Sequence, residues 1–121
     1  MTKKLTAEEK IRKIVDYCKE AKGRARDCEY SVFFIIELEN TEGQTETGVC
    51  SRGSQYTGYY TSVNAVNRAL KEAVKEAQWK SKCFNNLFTA RVWIKTYFGS
   101  RLVDEEIAND YEITFKGGVE V

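Results

Sequence analysis

Histidine does not occur anywhere in this chain of 121 residues. It is the one side chain whose unperturbed titration falls between pH 5 and 8, and it is the commonest metal ligand. Its absence removes Ser-His-Asp and Cys-His catalysis and most zinc sites. Carboxylates around a divalent ion, or a perturbed Lys, Tyr or Cys, are what remain. Proline is also absent, where about 5% is average, so no Pro-rich linker or rigid hinge is expected. The longest apolar run is Val32 to Ile36, far short of the roughly 18 residues of a membrane-spanning helix. Residues 1–10 are charged and lack the apolar stretch of a signal peptide, which predicts a cytoplasmic protein. Cysteines stand at 18, 28, 50 and 83 with no CxxC pair. They could form two disulfides; without a secretion signal, free thiols are the expectation.

What is present is the composition of one globular domain, 42% hydrophobic and 31% charged, at a length suited to a single core. The net charge is +1 but unevenly spread. Residues 1–26 hold nine Lys or Arg against four acids; residues 102–121 hold one Lys against six acids. Either the two ends attract each other, or Lys19, Lys22, Arg24 and Arg26 form a basic patch for a phosphate-rich partner.

The pattern predicts an α+β fold. Thr6 to Glu9 fits a capping box, Ile11, Ile14, Val15 and Cys18 share a helix face, and Gly23 is placed to end that helix. Tyr30 to Glu39 reads as a strand, apolar on both faces in its middle and therefore central. Asn40 to Gly43 is a turn signal, followed by a polar strand from Gln44 to Ser51. Gln55 to Tyr60 reads as a third strand with Gly58 as a bulge or close approach. A long amphipathic helix spans Ser62 to Lys80, capped by Thr61 or Ser62, with Val66, Leu70, Ala73, Val74 and Ala77 in its apolar stripe. After Asn85-Asn86 comes a strand in which Val92, Ile94, Thr96 and Phe98 alternate with Arg91, Trp93, Lys95 and Tyr97. Leu102 to Ala108 reads as a short acidic helix, its acids suiting a first turn, and Tyr111 to Lys116 as a last strand. Gly117-Gly118 then loosens the tail.

From residue 30 onward this order, a three-strand meander, a helix, a fourth strand, a short helix and a fifth strand, resembles the ribonuclease H-like order. Asn67-Arg68-Ala69-Leu70 is similar to that family's long-helix opening, and Val92 to Tyr97 to its fourth strand. The resemblance implies carboxylates from the first strand, the long helix and the fourth strand around two divalent ions. Glu37 or Glu39 meets the first requirement. The helix position reads Leu70, with Glu72 on another face, and the fourth-strand position reads Tyr97. The resemblance therefore implies the fold without the activity. A double-stranded-RNA-binding-domain-like unit over residues 6–80, with an appended strand pair, is the competing order.

Binding signals are stronger than catalytic ones. Gly53 to Gly58 precedes a helix and could offer amides to a phosphate, but it lacks the Lys-Ser/Thr ending of a P-loop. Cys50 near Arg52 reads as an inert thiol. Arg91, Trp93, Lys95 and Tyr97 interleave cations with aromatics, a face able to stack bases; or they are ordinary cross-strand pairs, or are covered by the first helix. Arg52, Tyr56, Tyr59 and Tyr60, with Asn64 and Arg68 on the next helix, suit a protein interface or a nucleotide pocket; or they are half-buried edge tyrosines. The reading carried forward is a non-enzymatic binding or sequestering protein, an accessory or inhibitor protein of a mobile element, acting on a protein or a small phosphorylated ligand. It implies no cofactor, no metal and no membrane, and allows self-association into a homodimer. A nucleic-acid binder, and a divergent metal-dependent nuclease using Glu37, Glu39 and Glu72, are the alternatives.

Overall fold

The structure, a computed structural model, describes residues 5–40 and 53–121, with the backbone alone for 53–57. Arg52, Cys50 and the predicted strand from Gln44 to Ser51 lie outside the described residues. The chain runs α1 (Ala7–Asp27), β1 (Ser31–Asn40), β2 (Gly53–Tyr60), α2 (Val63–Phe84), β3 (Leu87–Phe98), β4 (Arg101–Ile107), a 3₁₀ turn (Ala108–Asp110), β5 (Ile113–Lys116) and β6 (Val119–Glu120). The architecture is α+β: two helices on one face of a six-stranded antiparallel sheet.

Both helix starts follow from local chemistry. The Thr6 hydroxyl accepts the Glu9 amide at 3.3 Å and donates to Glu9 Oε1 at 3.1 Å. Ser62 does the same for Ala65, accepting its amide at 3.4 Å. Such caps satisfy amides that the first turn leaves free. α2 ends where Asn85 adopts the left-handed conformation, φ 49°, which Asn tolerates better than most residues. α1 runs past Gly23 to Asp27. One glycine costs only about 1 kcal/mol in a helix, and Ala25 beyond it is buried, so packing carries the helix through.

β3 organises the sheet. Along one side it pairs with the whole length of β1, from Ser31 opposite Tyr97 to Asn40 opposite Phe88. Along the other, its first residues pair with β5 and its last with β4. Even-numbered residues of β1 and β3 face the helices: Phe34, Ile36 and Leu38 meet Ile94, Val92 and Ala90 in register. With Ile14 and Cys18 of α1 and Val66 and Leu70 of α2 they form one core. Leu70 is fully buried there.

Three expectations are corrected. Residues 102–108 are not a helix: Arg101 to Ile107 forms β4, a hairpin partner of β3 closed by Gly99-Ser100, with Gly99 at φ 62°. The apolar stripe that would hold a helix there is missing, and the ladder with β3 decides. The strand order thus differs from the ribonuclease H-like one inferred from the text of the sequence. Gly117-Gly118 is not a loose tail. It is the tight turn between β5 and β6, both residues at positive φ, as two-residue hairpins require. That turn is held by α2. Ser81, fully buried, accepts the Gly118 amide on its hydroxyl at 3.0 Å and the Gly117 amide on its carbonyl at 3.2 Å. The last strand is also shorter than expected, beginning at Ile113. Gly58 behaves as predicted: the β1–β2 register shifts between Ile35 and Glu37, and Gly58 stands at φ 141°.

Candidate functional site: the open sheet face

Because side chains alternate along a strand, the odd-numbered residues of β1 and β3 lie on the face away from the helices. Pairing sets Ile35 beside Trp93, Glu37 beside Arg91 and Phe33 beside Lys95. Ile35 is only 2% exposed, flanked in register by Trp93 and by Tyr59 of β2.

Arg91 is the centre of this face and is only 8% exposed. Its Nη1 donates to Glu37 Oε1 at 2.5 Å, its Nη2 to Glu39 Oε1 at 3.0 Å, and its Nε to Glu112 Oε1 at 3.1 Å. All three nitrogens of the guanidinium therefore meet a carboxylate. Glu37 is itself buried and also accepts the Trp93 indole N–H at 3.0 Å. Burial alone would lower the guanidinium pKa; hydrogen bonds to Glu37 and Glu39 outweigh it and hold the pKa above its ordinary value. Further along, Lys95 stands 3.9 Å from Glu105, and the Tyr97 ring meets Phe33 edge-to-face at 5.5 Å. Two cations thus face four carboxylates.

This geometry revises the predicted sites one by one. Arg91, Trp93, Lys95 and Tyr97 do share one face, and α1 does not cover them, because both helices pack on the other side. Their cations are not offered to phosphates, however. Arg91 is consumed by Glu37, Glu39 and Glu112. The tyrosine cluster is divided by strand alternation. Tyr59 lies on the open face, 69% exposed, whereas Tyr60 packs against the core on the helix side. Tyr56 pairs in register with Glu37. Asn64 and Arg68 are exposed on α2, across the sheet from Tyr59. Residues 53–58 belong to β2, so they form ladder rather than a phosphate-cradling loop.

The basic patch separates in a similar way. Lys22 donates to the carbonyl of Thr61, tying α1 to the start of α2. Arg24 reaches Glu20 at 4.0 Å and lies 5.8 Å from the centroid of the Tyr17 ring. Lys19 is exposed on the rim of a groove of about 870 Å³ between α1 and α2, and Arg26 is exposed near the end of α1. The carboxylates proposed for metal do not converge either: Glu37 and Glu39 hold Arg91, while Glu72 is exposed on α2 across the sheet. Among the described residues, no group of three or more His, Cys, Asp or Glu side chains could hold a metal ion. Of the thiols, Cys28 and Cys83 are exposed and free. Cys18 is buried, and desolvation pushes its pKa up to about 12.

The functional residues that sequence reasoning missed are Glu39 and Glu112 as partners of Arg91, together with Phe33. The signal was present in part: Glu37, Glu39 and Arg91 are charged residues at odd positions of two largely apolar strands. No helix among the described residues is long and apolar enough to cross a membrane. No protein-family model matches the sequence, and neither does any curated protein or solved structure.

Proposed function

We propose that this chain is a non-enzymatic binding module that receives a protein partner on its open sheet face. One observation carries the reading: the face is rich in aromatic surface, yet its central cation is neutralised internally by three carboxylates. Protein interfaces favour aromatic anchors and deplete uncompensated charge at their centres. Tyr59, Tyr97, Phe33 and Trp93 supply the anchors. The Arg91 network fixes their strand positions without offering a free cation. An accessory or sequestering role suits such a face, since it occupies a partner without altering it chemically.

The same charge balance weighs against a nucleic-acid reading of this face, which would need cations free to neutralise phosphates. The test is site-specific photo-crosslinking in cells that make the protein. A photoreactive residue at Tyr59 or Tyr97 should capture a defined protein, and one at Lys71, exposed on α2, should not. Equal capture at all three positions, or capture of nucleic acid that weakens steeply with salt, would sink the reading.

A further inference from the structure

We propose that the outer edge of β4 is a strand-addition site for a partner segment in which lysine alternates with apolar residues. The inference rests on the protein-binding reading above and names the chemistry of the partner. β4 pairs with β3 on one side only among the described residues. An edge strand presents a row of unpaired N–H and C=O groups, a ready template for another chain. The β3–β4 register shifts between Thr96 and Tyr97, where Val103 is the extra residue. Residues 104–107 are thereby left as the regular stretch along which a partner strand can pair.

The surroundings say what that strand carries. Beside the edge, on the helix side, a cleft of about 450 Å³ opens between the last turns of α1 and the β3–β4 hairpin. Ala21, Ala25, Ile94, Tyr30 and Val103 give it apolar walls, and Asp104, Glu106 and Arg24 line it as well. Tyr30 packs edge-to-face on Phe98 at 5.7 Å, and Phe98 remains 59% exposed. An added strand would direct alternate side chains into this cleft, where lysine stems can lie along the apolar walls with their ammonium groups beside Asp104 and Glu106. The other set would fall on the open face near Ile107, which pairs with Trp93, so those residues are apolar. The edge itself carries Asp104, Glu105 and Glu106 in succession. Glu106 accepts the Tyr17 hydroxyl, and Glu105 is only loosely held by Lys95 at 3.9 Å. The Asp104 side chain forms no hydrogen bond or ion pair among the described residues. Like charges opposite one another destabilise a pair of strands. That disfavours a second β4 from another copy, which would bring the same acids, and favours a basic strand.

The experiment uses the whole chain, isotope-labelled, and a blocked peptide of seven residues, the length of β4, alternating Lys with Val and Leu. Backbone amide shifts and hydrogen exchange are followed by nuclear magnetic resonance. The expected result is saturable perturbation of amides 101–107, slowed exchange at alternate positions of 104–107, and no change in β2 or β6, the sheet's other edges. The same peptide with Glu for Lys should bind about tenfold more weakly, as should the Lys peptide against the Asp104→Lys/Glu105→Lys variant. Both substituted residues are exposed, and an unchanged thermal melt confirms folding. No perturbation of β4 at millimolar peptide, equal response to the Glu peptide, or perturbation confined to β2 or to the open face would overturn the proposal. Crosslinking at Tyr59 and Tyr97 together with a silent β4 edge leaves the open-face reading standing and removes this one. A responsive β4 edge with no capture at Tyr59 or Tyr97 does the reverse.

Discussion

The two faces of the sheet are built from the same two strands, β1 and β3, and are made stable by different means. The even-numbered face is apolar along its middle, from Phe34 to Leu38 and from Phe88 to Ile94, and is closed by α1 and α2. Among the described residues the odd-numbered face has no helix over it, and its centre is a guanidinium held by three carboxylates, one of which also accepts an indole N–H. Burial without direction suffices for the first, because apolar packing asks only for volume and contact. The second needs geometry, since a buried ion is tolerated only when each of its hydrogen-bonding groups is met. A face of that kind can stay uncovered without exposing either a broad apolar surface or an unmatched charge. That property suits the partner surface proposed above.

The comparison can be broken most forcibly on the helix side. Phe34 is fully buried between sheet and helices, and Phe34→Ala should destabilise the fold by about 3–5 kcal/mol, read by urea unfolding. On the open side, Arg91→Leu should cost about 3 kcal/mol, because it strands the buried carboxylate of Glu37. The second substitution Glu37→Leu should then recover more than half of that loss; a helix-side cavity admits no such rescue. If the double variant is no better than the single one, the open face is packed rather than charge-balanced. Alkaline pH should act through Cys18 on the helix side. Burial raises its folded pKa to about 12 from an ordinary value of 9.0, so the stability it contributes is complete below about pH 9 and falls as pH rises toward 12. Unfolding monitored from pH 8 to 11 should show the decline, and Cys18→Ala should flatten it. The smallest effect belongs to Tyr59→Ser. Tyr59 is largely exposed, so stability should move by no more than about 0.5 kcal/mol. Partner capture should fall nonetheless.

The legible parts of the fold were those with local causes. The Thr6 and Ser62 caps and the stripe through Val66 and Leu70 are written within a few residues of one another, and α1, α2 and β1 were accordingly readable. β4 was not. Most of its residues are exposed on both faces, so it has no period-two pattern, and its run of acids imitates a helix start. The pairing with β3 that makes it a strand is invisible in its own text. The open-face site was half legible for the same reason. Arg91 and Trp93 stood out as a cationic and aromatic strand. That Arg91 would be neutralised depended on a register that sets residue 91 opposite residue 37, and no local rule supplies a register between strands so far apart in sequence.

Glu120 of β6 has a consequence for the order in which the molecule can be completed. Its Oε2 accepts the amide of Ala7, the first residue of α1, at 2.9 Å, and its other oxygen lies 3.9 Å from Lys10. Lys10 in turn donates to the carbonyl of Glu112 at 3.3 Å. A helix early in this sequence is therefore fastened by residues more than a hundred positions later. Closing that contact must wait until the span from Thr6 to Glu120 is in place, so the start of α1 reports on completion of the whole sheet and not on local helix formation.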